Sequence, residues 1–208
     1  MPRRIGVLAI VLAVLAIGGF LATRVTTSSA RATHQSRPRE AARTTRTTTT
    51  TTTTTIPPGE LPQTKVLPSA SGPAFLSRMR GLLAAIASDE PARAMPAFFP
   101  LAAYLQVKAI PDPAVDWHTR LIANFYQDIG TFHAALGPNA ATARFVSVSV
   151  PNAAEWILPG VEYNKGSYWR VYDTVVNYTI GGRAGQFTVT SMISWRGEWY
   201  VVHLGAIR

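Results

Sequence analysis

Residues 168–207 read YWRVYDTVVNYTIGGRAGQFTVTSMISWRGEWYVVHLGAI, and apolar and polar side chains alternate through three segments of this stretch. A repeat of two residues is typical of strands with one buried face. The pattern predicts strands over 168–180, 186–195 and 198–207. Gly181, Gly182 and Gly185 are expected to form the first turn, and Arg196-Gly197 is expected to form a two-residue second turn. The stretch therefore predicts an antiparallel meander.

The second turn fixes the predicted pairing of the last two strands. One face is expected to be apolar, with the opposed pairs Ile193 and Tyr200, Ser191 and Val202, and Val189 and Leu204. The other face is more mixed and carries Trp199, Met192, Val201, Thr190 and His203.

The residues before the meander have a helical repeat instead. Ser71-Gly72-Pro73 predicts the start of a helix that continues to Ser88, and a short helix is expected from Pro91 to Met95. Short helical turns are expected over 97–113. Asp112-Pro113 begins the longest helix, which ends near Leu136 before Gly137-Pro138. Its apolar stripe holds His118, Ile122, Phe125, Ile129, Phe132 and Leu136. Residues 144–150, RFVSVSV, predict one more strand with Val146, Val148 and Val150 on one face.

Residues 5–23, IGVLAIVLAVLAIGGFLAT, contain no charged side chain. A helix of this length spans roughly 28 Å, close to the hydrocarbon thickness of a bilayer. The stretch predicts a single-pass membrane anchor behind a cytoplasmic segment, residues 1–4. A cleaved signal peptide remains an alternative, with Ala30-Arg31-Ala32 as a candidate cleavage site.

Residues 24–70 are rich in Thr, Arg and Pro, and eleven of the twelve residues 44–55 are threonine. Such a segment cannot bury enough apolar surface to offset its ordering entropy, so we expect a disordered linker. It would span roughly 40 Å as a flexible coil and about 140 Å as polyproline II. The composition is also that of O-glycosylated stalks, with Thr47, Thr48, Thr49, Thr50 and Thr51 as candidate acceptors, although an unmodified spacer remains open.

The net charge of +9 is concentrated before the predicted domain. Residues 1–71 hold nine Lys/Arg and two Glu, whereas residues 72–208 hold eleven Lys/Arg and nine Asp/Glu. This distribution does not favour a basic groove on the folded part, and we expect no nucleic-acid partner. The absence of cysteine excludes disulfides, thiolate metal sites and a cysteine nucleophile.

The orientation of the anchor is less clear from charge alone. Arg3 and Arg4 favour a cytoplasmic N-terminus, but arginines close to the other end of the span oppose it. The composition of the linker is typical of exported chains. We therefore expect a cell-membrane protein whose C-terminal domain, residues 71–208, is extracytoplasmic.

Helices followed by a meander predict an α+β domain. The three N-terminal helical pieces and the final strand Trp199-Tyr200-Val201-Val202-His203 resemble the nuclear transport factor 2-like cone fold, also called SnoaL-like or cystatin-like. The resemblance covers about residues 72–208 and implies helices packed on a curved antiparallel sheet. With its anchor and linker, the chain is also similar to actinobacterial envelope proteins, including mammalian-cell-entry-associated membrane proteins.

The resemblance implies a pocket between the helices and the concave face of the sheet. Members of this fold use that pocket as isomerases, dehydratases or cyclases, or as binding modules, so the fold does not decide the activity. An enzyme would need a general base and a donor for developing charge. The candidates are Asp116, His118, Asp173 and Tyr104.

Each candidate also has a purely structural interpretation. His118 fits a hydrogen-bonded histidine at the edge of the core, and Asp173 fits an ion pair with a nearby arginine. His203, Trp199 and Thr190 are expected at a pocket or at a dimer interface through the sheet. His133 and Asp128 lie on the flanks of the long helix and are expected to be solvated. The widely spaced histidines predict no metal site, and nothing in the sequence indicates a cofactor.

Two functions follow from these patterns. The first is a non-catalytic, membrane-anchored interaction or accessory module that contacts envelope proteins, or a second copy of itself. The second is a small-molecule-binding protein or enzyme that uses the cone pocket. A cavity holding Asp173 or His118 with a partner favours the second, whereas filled space with an apolar patch outside favours the first. A third interpretation places the arginine-rich tail in the cytoplasm, bound to anionic lipid or nucleic acid.

Overall fold

The computed structural model describes residues 58–208. The predicted anchor at 5–23, the segment 1–4, most of the linker and Thr47–Thr51 lie outside the described residues. Within the described part, no helix has the length and apolar character that a bilayer crossing needs.

The helices of the described part precede the sheet. They are α1 (Pro73–Ser88), α2 (Leu101–Val107), α3 (Pro113–Asp116) and α4 (Ile122–Leu136), with a π-helical turn at Trp117–Leu121 between α3 and α4. Three 3-10 segments lie at Pro58–Glu60, Pro91–Ala97 and Gly137–Thr142. The predicted helix starts at 73 and 113 are confirmed, and the side chain of Asp112 accepts the amide hydrogen of Val115 at 3.0 Å.

The sheet is antiparallel, with strand order β1-β3-β4-β5 and β2 paired to the beginning of β3. The strands are β1 (Arg144–Ser149), β2 (Glu155–Ile157), β3 (Tyr168–Ile180), β4 (Arg183–Trp195) and β5 (Glu198–His203). The α+β class is therefore confirmed, and β3 has the predicted bounds. Gly181, Gly182, Arg196 and Gly197 all have positive φ, which both central residues of a type I′ hairpin turn need.

One face of the sheet packs on the helices. Val171, Met192 and Val201 lie side by side across β3, β4 and β5, and all three are buried. Phe98 forms a parallel bridge with Val201, and its ring centroid lies 4.5 Å from that of Phe125 in α4. We call this side of the sheet the helix face. The side chains of the alternate residues of β3, β4 and β5 lie on the opposite face of the sheet.

The predicted pairing of the last two strands is correct only near the turn. Ile193 lies opposite Tyr200 as expected, but a bulge after Ser191 pairs that residue with His203 instead of Val202. Trp199, Met192 and Val201 share a face as predicted, whereas the bulge moves His203 to the opposite face, where it pairs with Ser191. The face predicted to be mixed holds Trp199, and that residue is buried on the helix face. Both faces carry apolar residues, so alternation alone does not identify the buried one.

Asp173 interrupts the alternation in β3. Its φ is 57°, and its side chain is exposed. Val171 is buried before it and Thr174 is buried after it, so the buried side shifts by one residue at this position. Asp tolerates the left-handed region better than most residues do, which explains a carboxylate in the middle of a strand.

The π-helical turn displaces the predicted apolar stripe. A π-turn holds one more residue than an α-turn, so positions before it shift by one. Trp117 and Leu121 are buried, whereas His118 is exposed with its ring against Trp117 at 4.9 Å between centroids. The prediction that His118 lies on the core stripe is therefore wrong.

A bulge in β1 has a similar effect. The pairing of β1 with β3 shifts between Phe145 and Ser147. Val148 and Val150 pack partly against the core, but Val146 is exposed. The three valines therefore do not share one face.

Residues 59–67, which the sequence assigned to the linker, bind to the domain. Gln106 Nε2 donates to the carbonyl of Gly59 at 2.9 Å. Gln63 donates to the Ser194 carbonyl at 2.8 Å and accepts the Arg196 amide hydrogen at 2.7 Å. Residues before 71 are therefore hydrogen-bonded to the domain. Gly59 is bonded to α2, and Gln63 is bonded to the end of β4 and the β4–β5 turn.

Candidate functional site

A cavity of about 210 Å³ lies between α2 and the sheet face opposite the helix face. We call it the polar pocket. Its walls come from α2, β3, β4, β5, the loop before β3 and the C-terminal residues; they are Tyr104, Lys108, Glu162, Tyr168, Arg170, Tyr172, Ser191, Ile193, Val202, His203 and Ile207. Seven of these side chains can carry a charge, so the pocket is lined by titratable groups from several elements.

Tyr104 connects the polar pocket to the beginning of the long helix. Its hydroxyl donates to Asp116 Oδ2 at 2.5 Å, and Arg120 binds both oxygens of the same carboxylate at 2.7 and 2.8 Å. The hydrogen bond from Arg120 is the main reason that the pKa of Asp116 is lowered. Burial raises the pKa of Tyr104, and the bond to Asp116 adds to that effect. Tyr104 is thus a hydrogen-bond donor held against a carboxylate that stays ionised.

A second part of the wall is an ion-paired cluster. Arg170 pairs with Glu155 at 2.6 Å and also with Glu162. Tyr168 donates its hydroxyl hydrogen to Glu162 Oε2 at 2.6 Å. Burial raises the pKa of Tyr168, so it remains a donor at neutral pH. This cluster leaves Arg170 with little capacity for a further charged ligand.

His203 closes the pocket from β5. Burial, followed by the positive charges of Arg120 and Lys108, lowers its pKa to about 4. The ring is neutral at pH 7 and offers one N–H donor and one acceptor. Neutral histidine is suited to hydrogen bonding and not to charge pairing.

A second cavity, of about 310 Å³, lies on the helix face beyond Asp173, and we call it the apolar pocket. Its lining from α1 and α4 is Ile86, Phe132, Ala135 and Leu136, and its lining from the sheet is Tyr178, Gln186, Phe187 and Thr188. The rings of Phe132 and Phe187 are 5.4 Å apart. Its lining has no acid, base or histidine, apart from the phenol of Tyr178.

The loop 158–167, between β2 and β3, presents apolar side chains to solvent. Leu158, Val161 and Tyr163 are 58, 65 and 81% exposed. Asn164 is buried beneath them; its amide nitrogen donates to the carbonyls of Leu158 and Gly166 at 3.0 and 2.8 Å. Its side-chain oxygen accepts the amide hydrogen of residue 162 at 2.8 Å.

The same loop is joined to the end of α2. The amide of Ala109 donates to the Tyr163 carbonyl at 2.8 Å, and the amide of Lys165 donates to the Val107 carbonyl at 2.7 Å. Tyr163 has a φ of 52°, which is strained for a bulky residue. The loop therefore has a fixed shape that holds its apolar side chains outward.

Some of the candidates predicted from the sequence meet at the polar pocket. Tyr104 and His203 line it, and Asp116 binds Tyr104 from behind. His118 and Asp173 are exposed and line neither pocket.

The other predicted pocket or interface residues lie elsewhere. Trp199 is buried in the core, and Thr190 is half-buried with its amide bonded to the Leu204 carbonyl at 3.2 Å. The two residues expected to be solvated are not. Asp128 is buried, accepts the Gly205 amide hydrogen at 2.8 Å and pairs with Arg208, and His133 Nδ1 lies 2.9 Å from the Ile86 carbonyl oxygen.

Sequence reasoning missed Lys108, Arg120 and Glu162. They come from the C-terminal end of a seven-residue helix, the π-turn and a loop, where no period identifies a face. The one signal for Lys108 is that it is the single charged residue of the stretch 103–110, AYLQVKAI.

No group of three or more metal-ligating side chains occurs within residues 58–208. Comparison with family models, curated proteins and solved structures finds no match for this chain. The resemblance to the nuclear transport factor 2-like fold consequently stays a prediction.

Proposed function

We propose that this chain is a membrane-anchored, extracytoplasmic interaction module of the cell envelope. The observation that carries the proposal is the loop 158–167, which exposes Leu158, Val161 and Tyr163 from a hydrogen-bonded frame. Adjacent exposed apolar side chains are typical of protein-binding sites, and tyrosine is enriched at interfaces. A loop already fixed in shape loses little conformational entropy when a partner binds.

The proposed attachment to the membrane rests on the sequence. The uncharged stretch 5–23 would anchor the chain and the Thr-rich tract would set the distance to the domain. The proposed partners are envelope proteins, with a homodimer through the sheet as the alternative partner. For the domain we propose the nuclear transport factor 2-like cone. The helices before the meander and the position of Trp199–His203 in the last strand support that assignment.

A topology experiment tests the location. β-Lactamase fused after Arg208 is expected to protect intact cells from ampicillin, because the domain would lie outside the cytoplasm. A matched fusion of a cytoplasmic reporter at the same point is expected to be inactive. Activity of the cytoplasmic reporter alone contradicts the proposed location.

A substitution experiment tests the interaction. The triple variant Leu158→Ser, Val161→Ser, Tyr163→Ser removes the exposed apolar side chains of the loop. A control triple removes three exposed apolar side chains elsewhere, at Val115, Tyr126 and Val146. Native gels of solubilised membranes are expected to show the full-length wild-type protein in a complex. This complex is expected to be lost in the loop variant and kept in the control. An equal effect of both variants, or a wild-type chain that migrates as a monomer, contradicts the proposal.

The apolar pocket favours a second candidate function, the binding of a small hydrophobic molecule. Its volume of about 310 Å³ falls at the lower end of the range of small-ligand sites. The rings of Phe132, Phe187 and Tyr178 supply apolar contact area. Ala135→Phe fills this pocket, and Ala134→Phe places the same ring on α4 outside it. A fluorescent fatty acid is expected to bind wild type and the Ala134 variant, and not the Ala135 variant; equal binding to all three contradicts this function.

A further inference from the structure

Lys108 is the cation of the polar pocket that has no carboxylate partner. Its ammonium donates to the carbonyl of Glu162 at 3.0 Å. Within the described part of the chain, no carboxylate oxygen forms an ion pair with it, whereas Arg120 pairs with Asp116 and Arg170 pairs with two glutamates. A half-buried ammonium that has lost water without gaining a counter-charge is destabilised in its charged form.

The surroundings of Lys108 do not compensate its charge. Burial lowers its pKa, and the positive charge of Arg120 lowers the pKa further, with only partial opposition from Asp116. The remaining groups facing the cavity are the ion-paired Glu162 and Arg170, the phenols of Tyr104, Tyr168 and Tyr172, and neutral His203. The hydroxyls of Tyr104 and Tyr168 already donate to Asp116 and Glu162, so an anion next to Lys108 would meet one positive group, with Tyr172, Ser191 and His203 as the neutral donors of the lining.

The size and walls of the cavity limit what that anion is. About 210 Å³ is smaller than the sites of drug-sized ligands, so the ligand has few non-hydrogen atoms. Ile193, Val202 and Ile207 provide the aliphatic part of the wall. One unpaired cation balances one negative charge, and a dianion such as phosphate would be repelled by Glu162.

We propose that the polar pocket binds a small carboxylate-bearing monoanion with a short apolar body, with Lys108 as its charged anchor and His203 as a hydrogen-bond donor. The carboxylate lies at the α2 end of the cavity, and the apolar body lies against the aliphatic wall. This site is on the opposite side of the sheet from the apolar pocket and does not depend on the proposed interaction through the loop.

The test uses the full-length chain in detergent micelles and sodium benzoate as the probe, with benzamide as its neutral counterpart and sodium phosphate as a dianionic comparison. Calorimetry is expected to detect saturable binding of benzoate. Benzamide and phosphate are expected to bind at least about tenfold more weakly than benzoate. Lys108→Met keeps the apolar stem of the side chain but removes its charge, so benzoate affinity is expected to fall by about tenfold or more. Lys165→Met, at an exposed lysine on the adjoining loop, is expected to leave affinity unchanged.

Three further measurements keep the proposal testable if Lys108→Met fails to fold. Lys108→Arg retains the charge and is expected to bind benzoate within a few-fold of wild type. In the wild-type protein, benzoate affinity is expected to fall as pH rises through the lowered pKa of Lys108, and NMR titration is expected to show a higher His203 pKa with benzoate bound. Equal binding of benzoate and benzamide, equal binding by both methionine variants, or no saturable binding overturns the proposal.

Discussion

Replacing Asn164 by alanine tests whether the loop 158–167 has a fixed shape. The side chain of Asn164 is 2% exposed, and it makes three hydrogen bonds of 2.8–3.0 Å within the loop. Each such bond contributes about 0.5–1.5 kcal/mol net, and buried groups left without a partner add to the loss. We expect Asn164→Ala to lower the free energy of unfolding by about 2–4 kcal/mol.

The loss has a local signature as well as a global one. The amide of residue 162, which donates to Asn164 Oδ1, is expected to exchange with solvent much faster in the variant, because its acceptor is gone. Asn152→Ala, at an exposed position in the preceding loop, is the matched control and is expected to change stability by less than about 0.5 kcal/mol. Denaturant titration and hydrogen exchange measure the two effects. If Asn164→Ala matches the control in both, the loop is not held by this side chain and the argument for a preformed binding element fails.

Denaturant titration tests further changes at Gly205, Gly81, Asp173 and His203. Gly205→Ala should cost about 1–3 kcal/mol, because its Cβ would lie 2.7 Å from Asp128 Oδ1; Gly81→Ala in the open interior of α1 should instead add about 0.5–1 kcal/mol. Asp173 has a φ of 57°, so Asp173→Val should lower the free energy of unfolding by about 1–2 kcal/mol, whereas Asp173→Asn should be nearly neutral. Equal effects of the two variants would contradict a left-handed backbone at this position. The unfolded state protonates histidine near pH 6.5, while His203 in the folded state has a pKa of about 4, so stability should fall as pH drops between these values. After allowance for solvent screening the loss is about 1–2 kcal/mol, and His203→Gln should flatten this part of the pH profile relative to wild type.

The sequence predicts where the helices and strands lie better than it predicts which side chains of each element are buried. The bounds of β3 and the two-residue turns at Gly181-Gly182 and Arg196-Gly197 follow from alternation and turn chemistry, because long periodic runs and paired turn residues give strong local signals. Gly185, predicted in the first turn, lies instead in β4, opposite Tyr178. Four irregularities each shift the buried positions by one residue. They are the π-turn before Ile122, the kink at Asp173 and the bulges near Phe145 and Ser191. Such insertions are fixed by tertiary packing, so they turned His118 outward and changed which residue faces His203.

The candidate site was predicted only in part for the same reason. Tyr104 and Asp116 meet through a short helix and the beginning of a longer one, and an aromatic–acid pair twelve positions apart has no local signature. Lys108 and Glu162 come together because the loop 158–167 binds the end of α2. Contacts between two irregular segments depend on their backbone hydrogen bonds, which no periodic pattern reveals.

The most direct test of the proposed interaction is photo-crosslinking in intact cells. A photoreactive amino acid replaces Tyr163 at the exposed tip of the loop, or Tyr126 on α4 as the control. We predict a discrete crosslinked species from position 163 that disappears when Leu158 and Val161 are changed to serine, and no such species from position 126. Absence of a crosslink at 163, or the same products from both positions, would contradict the account.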